Sequence, residues 1–149
     1  MKVLFVCTGN TCRSPMAAGI LKKMLKDRGI ENVEVDSCGF VEEGLPASQY
    51  AIEVSGEHGV DISGHRSKVI NKALIDESSI ILTMSKRHKD EVIKLSPDAQ
   101  EKAFTITEFV DEDGEIEDPI GMGKDMYERT FKKLYGILER VIDKIDDLK

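Results

Sequence analysis

The chain has 149 residues, the length of one domain, and residues 1–149 are expected to form a single domain. Hydrophobic residues at 40% can fill one core and charged residues at 33% give a solvated surface, which together exclude a disordered chain. A formal net charge of −7 repels polyanions, so no nucleic-acid partner is expected; Lys86-Arg87-His88-Lys89 reads as the solvated first turn of a helix.

No apolar stretch approaches the length of a membrane span. The apolar run after Met1 is too short for a signal peptide, so no membrane association and a cytoplasmic location are expected. Val3 to Val6 reads as a strand buried on both faces. Gly9 and Asn10 interrupt it, and Ser14-Pro15 reads as an N-cap and first helical position. Ala17, Ile20, Leu21, Met24 and Leu25 form the helical stripe, which Gly29 ends. Residues 33–36 alternate as a second strand, and 46–59 suggest a helix.

Residues 61–68 read as a loop and 69–75 as a short helix. Ile80-Ile81-Leu82 lies in a third buried strand, 86–95 in a helix closed by Ser96-Pro97, and 103–106 in a fourth strand. Residues 108–123 form a long acidic connection without regular structure, of the kind that often carries function. In the last helix, Tyr127, Phe131, Leu134, Leu138, Val141 and Ile145 recur at steps of four and three, too few repeats for a coiled coil, so packing against the sheet is expected. Strands alternating with helices imply an α/β fold. The expected form has three layers: a four-stranded parallel sheet flanked by helices on both faces, with the ligand site beyond the end of strand 1.

That end falls at Cys7, the start of Cys7-Thr8-Gly9-Asn10-Thr11-Cys12-Arg13-Ser14. A chain entering a helix leaves several N–H groups unpaired, and wrapped into a loop they converge on an anion of phosphate size. Gly9 is expected to supply a backbone conformation closed to other residues, Asn10 to tolerate left-handed geometry and tie the loop, and Arg13 to bind two phosphate oxygens. Thr8, Gly9, Asn10, Thr11, Cys12, Arg13 and Ser14 are thus candidate substrate-binding residues. Cys7 is the candidate nucleophile, since such surroundings lower a thiol from about 8.5 to between about 3.5 and 7.5. Ser14 can donate a hydrogen bond to its sulfur. Phosphoryl transfer to Cys7 expels a leaving group that needs a proton. Asp118, beside Pro119, is a candidate donor, with Asp111, Glu112, Asp113, Glu115 and Glu117 as competitors.

Three cysteines do not suggest a disulfide framework, and no Cys/His spacing suits zinc, so no metal is expected. His58, His65 and His88 are expected at the surface or in loops.

Val3-Leu4-Phe5-Val6-Cys7-Thr8-Gly9-Asn10-Thr11-Cys12-Arg13-Ser14-Pro15-Met16-Ala17, with Asp118-Pro119 about thirty residues from the end, resembles the low-molecular-weight protein tyrosine phosphatases. Length, element order and His65-Arg66-Ser67 extend the similarity over the whole chain. The resemblance implies a cysteinyl-phosphate mechanism with Cys7 as nucleophile, Arg13 as phosphate binder, Asn10 and Ser14 as loop and thiolate support, and Asp118 as acid and base. It implies no metal or organic cofactor and a phosphorylated protein as substrate; separately, a monomer is expected. It also implies a redox role for Cys12, pairing reversibly with Cys7; Cys38 is read as structural.

Two features lean toward the protein-arginine-phosphatase branch. Thr11 stands where many tyrosine-directed members carry a larger aliphatic residue, and members acting on phosphoarginine resemble this chain there. Asp118-Pro119 is followed by Ile120-Gly121 rather than by aromatic residues that clasp a phenyl ring. Phosphoarginine is therefore slightly favoured as natural substrate, with phosphotyrosine also hydrolysed. A non-hydrolytic cysteine phosphocarrier has no obvious use for Arg13 and Asp118. A thioredoxin-coupled arsenate reductase needs a mid-chain cysteine pair, and residues 39–149 contain no cysteine.

Overall fold

The computed structural model describes residues 1–148. Four strands, β1 (Lys2–Val6), β2 (Glu34–Cys38), β3 (Ile80–Thr83) and β4 (Ala103–Thr105), form one sheet in the order β2-β1-β3-β4 with every pair parallel. Helices α1 (Arg13–Asp27), α2 (Gln49–Glu57), α3 (Lys72–Glu77), α4 (Lys86–Leu95), α5 (Ile106–Phe109) and α6 (Lys124–Leu148) connect and cover it.

Side-chain alternation divides β1 between two cores. Val3 and Phe5 face one cluster with α1, α2 and α6; Leu4 and Val6 face another with Leu74 and Ile75 of α3 and Val92 of α4. All four side chains are fully buried, which accounts for an unbroken apolar run in place of alternation. The chain leaves β1 to build β2 on one side and later returns to build β3 on the other. The sheet's switch point therefore lies at the carboxyl end of β1, where Cys7 begins the loop.

Several local expectations shift. Helix α1 starts at Arg13 with Cys12 as N-cap, so Ser14 is not the cap; its hydroxyl is used elsewhere. Gly9 has no positive φ, and a Cβ there would meet only Thr11 Oγ1 at 3.6 Å; the left-handed residue is Asn10, at φ 56°. The glycine the loop needs is Gly39, where a Cβ would stand 2.6 Å from the Thr8 carbonyl oxygen and 2.9 Å from the Asn10 nitrogen. The short helix expected at 69–75 lies instead at Lys72–Glu77, because Asn71 caps it through Leu74 N–H and Val69 is extended beside Gly39. The acidic connection opens with α5, fixed by a reciprocal capping box between Thr105 and Glu108. Ser96-Pro97 closes α4 and opens a 3₁₀ turn, Pro97–Glu101. The α6 stripe faces the core mainly against α1 and α2.

Candidate active site

The loop after β1 is held from beneath by Asn10, whose side chain is fully buried. Its Nδ2 donates to Ser14 Oγ at 2.8 Å and to Ser37 Oγ at 2.9 Å. Its Oδ1 accepts the Lys68 N–H at 2.9 Å, and its carbonyl oxygen accepts from His65 Nε2 at 2.7 Å. A residue in left-handed geometry is thus tied to three other segments of the chain. The loop's outer edge is held by Phe40 N–H donating to the Thr8 carbonyl and Ser48 N–H to the Thr11 carbonyl, both at 2.8 Å.

Cys7 Sγ lies 2.8 Å from Ser14 Oγ. Because Asn10 Nδ2 already donates to that oxygen, the Ser14 proton is free to point at the sulfur. Burial is the largest influence on the Cys7 thiol and pushes it up. Opposing it, in order, are the Ser14 hydroxyl, the Ser14 N–H, the Arg13 guanidinium and the Asn10 N–H. Burial prevails, so the depressed thiol expected from the loop pattern is not what this geometry gives. The Ser14 hydroxyl and N–H, the Arg13 guanidinium and the Asn10 N–H nevertheless all act to favour the thiolate.

Arg13 is buried and spans the site. Nη1 donates to the Ile116 carbonyl at 2.9 Å; Nη2 donates to Thr8 Oγ1 at 3.4 Å and lies 3.4 Å from Asp118 Oδ2. Ile116 N–H in turn donates to the Met84 carbonyl, just past β3, at 3.0 Å. Asp118 is half exposed, and its Oδ1 accepts the Ile120 N–H at 3.1 Å in a tight turn around Pro119. Of the competing acids, Glu112 pairs with Arg140 and Glu115 accepts from the Lys86 N–H. Asp118 is the carboxylate of that segment in reach of Arg13.

A cavity of about 320 Å³ opens over Cys7. Thr8, Gly9, Thr11, Cys12, Arg13 and Asp118 line it, with Val41, Leu45 and Ile120 as an aliphatic rim. Asn10 and Ser14, expected among the binding residues, have buried side chains beneath the loop and support it. Cys12 Sγ lies 3.3 Å from Ser48 Oγ and 3.5 Å from the Tyr127 hydroxyl; Cys7, Cys12 and Cys38 are all free thiols. A larger cavity of about 420 Å³ behind the loop is bordered by Lys22 and His65 and has no cysteine in its lining.

Sequence reasoning missed Ser37, Lys68, Gly39, Val41 and Leu45. None carries a local signal, because each acts on a loop far away in the chain. It also misplaced His88, which is 3% exposed in α4 and packed behind Thr8, whereas His65 lies in a loop as expected, half-buried against Asn10.

The chain matches the family described as low molecular weight phosphotyrosine protein phosphatase over residues 2–148. It is 40% identical over 146 residues to a protein-arginine-phosphatase of Geobacillus stearothermophilus, covering 97% of this chain and 95% of that one. Among solved structures, a low molecular weight protein tyrosine phosphatase from T. tengcongensis superposes with a TM-score of 0.92 at 44% identity, over 97% of this chain and 99% of the other. A YwlE arginine phosphatase mutant with a phosphorylated active-site serine superposes with a TM-score of 0.93 at 31% identity, over 98% and 96%. The chain, whose free Cys7 and Arg13 share a cavity with Asp118, therefore belongs to the low-molecular-weight phosphotyrosine protein phosphatases.

Proposed function

We propose that the chain removes phosphate from protein phosphoarginine in preference to phosphotyrosine, with Cys7, Arg13 and Asp118 as its catalytic residues. Phosphatases of this family act on phosphorylated protein through a cysteinyl-phosphate intermediate. In this chain the Cys7 thiol passes its proton to an oxygen of the incoming dianionic phosphoryl group, Sγ attacks phosphorus as the thiolate, the Sγ–P bond forms, and the P–N or P–O bond to the substrate breaks. Asp118 gives its proton to the departing nitrogen or oxygen. Water then attacks the phosphocysteine, Asp118 takes the water's proton, and the Cys7 thiolate leaves with the Ser14 hydroxyl donating to it. Arg13 and the loop amides hold the phosphoryl oxygens throughout.

The observation that carries the substrate preference is the wall of the cavity. Thr11 lines it with a short branched side chain and a hydroxyl, and its rim is aliphatic, with Val41, Leu45 and Ile120 where an aryl ring would be clasped. Among the described residues, no helix is long and apolar enough to cross a membrane. We read the protein as a cytoplasmic monomer that uses no metal or cofactor.

The deciding experiment compares kcat/KM on phosphoarginine and phosphotyrosine peptides of one sequence, for the parent and for Thr11→Ile. The parent should favour phosphoarginine, and Thr11→Ile should move the ratio toward phosphotyrosine by about tenfold. An unmoved ratio removes Thr11 from the substrate argument. Undiminished turnover by Cys7→Ser would remove the thiolate mechanism itself.

A further inference from the structure

His88 has a use that its place in a charged helical turn does not suggest. Both ring nitrogens meet hydroxyls: Nδ1 lies 2.9 Å from Ser85 Oγ and Nε2 2.8 Å from Thr8 Oγ1. The ring lies nearly parallel to Phe40, with centroids 6.0 Å apart. Thr8 lines the cavity over Cys7, and its Oγ1 also accepts from Arg13 Nη2. Burial, with Arg13 and Arg87 nearby, holds the imidazole down to about 4, so near neutral pH it has a single N–H.

Each ring nitrogen meets a hydroxyl that already accepts one hydrogen bond, Ser85 Oγ from the His88 N–H and Thr8 Oγ1 from Arg13, so two tautomers fit the contacts. Ser85 caps α4, and its Oγ accepts the His88 backbone N–H. We take the tautomer in which Ser85 gives its proton to Nδ1 and the ring proton sits on Nε2, donating to Thr8 Oγ1. Thr8 Oγ1 accepts twice, from His88 and from Arg13, and its own proton has no partner within this chain of bonds. The open side of that hydroxyl is the cavity.

We propose that His88 is a positioning residue of the phosphate site: by holding Thr8 Oγ1 as a double acceptor, it orients Arg13 Nη2 and turns the Thr8 hydroxyl proton toward a phosphoryl oxygen in the cavity. The inference rests on the phosphate cradle proposed above. It adds a side-chain donor, Thr8, to that cradle and a buried residue from α4 that sets it. His88 touches neither the phosphate nor the nucleophile.

The test uses His88→Phe, which keeps a ring against Phe40 and removes both nitrogens, His88→Gln, whose amide nitrogen reaches the place of Nε2, and Thr8→Val. Each is assayed for kcat and KM on an aryl phosphate, inhibition by inorganic phosphate, and thermal midpoint. His88→Phe should weaken phosphate inhibition and lower kcat/KM by about tenfold. His88→Gln should recover most of both, and His88→Phe with Thr8→Val together should be no worse than Thr8→Val alone. Phosphate inhibition within twofold of the parent in a folded His88→Phe protein overturns the proposal, as do multiplied effects in the double variant. If His88→Phe does not fold, His88→Gln in the parent and in the Thr8→Val protein decides. Phosphate binding kept by His88→Gln but lost with Thr8→Val supports the relay; Thr8→Val without effect ends it. These outcomes are distinct from failure of the cysteine mechanism, which shows only as turnover by Cys7→Ser.

Discussion

Arg13 Nη1 donates to the carbonyl oxygen of Ile116 at 2.9 Å, so the phosphate loop and the segment bearing Asp118 are joined by one side chain. A guanidinium can do this because its fork offers several donors in one plane: one nitrogen is spent on Ile116 while the other faces Thr8 and Asp118. The long acidic connection expected without regular structure is thereby anchored two residues before its acid.

Arg13→Lys keeps the charge and loses the fork. An ammonium cannot hold the Ile116 carbonyl and two phosphoryl oxygens together. We expect kcat/KM to fall by about 100-fold or more, with kcat falling along with phosphate affinity. A variant that retained parental kcat while only KM rose would show that the fork serves ground-state binding alone.

Asp118→Asn removes the proton and keeps the turn, since the Asn oxygen can still accept the Ile120 N–H. Hydrolysis should slow by about 100-fold for alkyl and other poor leaving groups and much less for an activated aryl phosphate. The measurement is the slope of log kcat/KM against leaving-group pKa. Equal slowing across the series would assign the proton to another donor.

Ser14→Ala removes the strongest of the groups that oppose the burial of the Cys7 thiol. The pH profile for alkylation of Cys7 by iodoacetamide should move upward, and breakdown of the phosphocysteine should slow by about tenfold, seen as a burst of released leaving group. An unchanged alkylation profile would mean that the Ser14 proton is not directed at the sulfur.

Stability should fall on the acid side through His88. Its folded pKa of about 4 lies below the ordinary 6.5, so the unfolded chain binds a proton more readily between those values. The contribution is fully present above about pH 6.5 and is lost as pH falls toward 4. Burial is the main cause, Arg13 and Arg87 also oppose a charged ring, and Glu115 and Asp118 favour it. His65, also lowered, chiefly by burial, adds in the same direction. The urea midpoint should therefore drop between pH 6.5 and 4, and drop less in His88→Phe. Parallel curves for the two proteins would contradict the buried neutral ring.

What was legible in the sequence was what consecutive residues decide. The buried strand, the Cys7 to Ser14 loop and the helix behind it follow one another in the chain, and Asn10 is left-handed as its residue type allows. The four parallel strands follow from the alternation of buried runs with helical stripes. Asp118 could be chosen among six acids only through resemblance, because spacing along a loop does not say which carboxylate turns inward. Pairing with Arg140 draws Glu112 away, and the α4 N-terminus draws Glu115.

Tertiary structure alone decided how the loop is held. Ser37, His65 and Lys68 reach Asn10 from 27, 55 and 58 residues away, and His88 reaches Thr8 across 80. These residues meet because parallel crossovers bring the ends of β1, β2 and β3 to one edge of the sheet. Gly39 was invisible for the same reason. Its missing Cβ matters only because β2 ends directly beneath the loop that leaves β1, where a methyl group would overlap the Thr8 carbonyl.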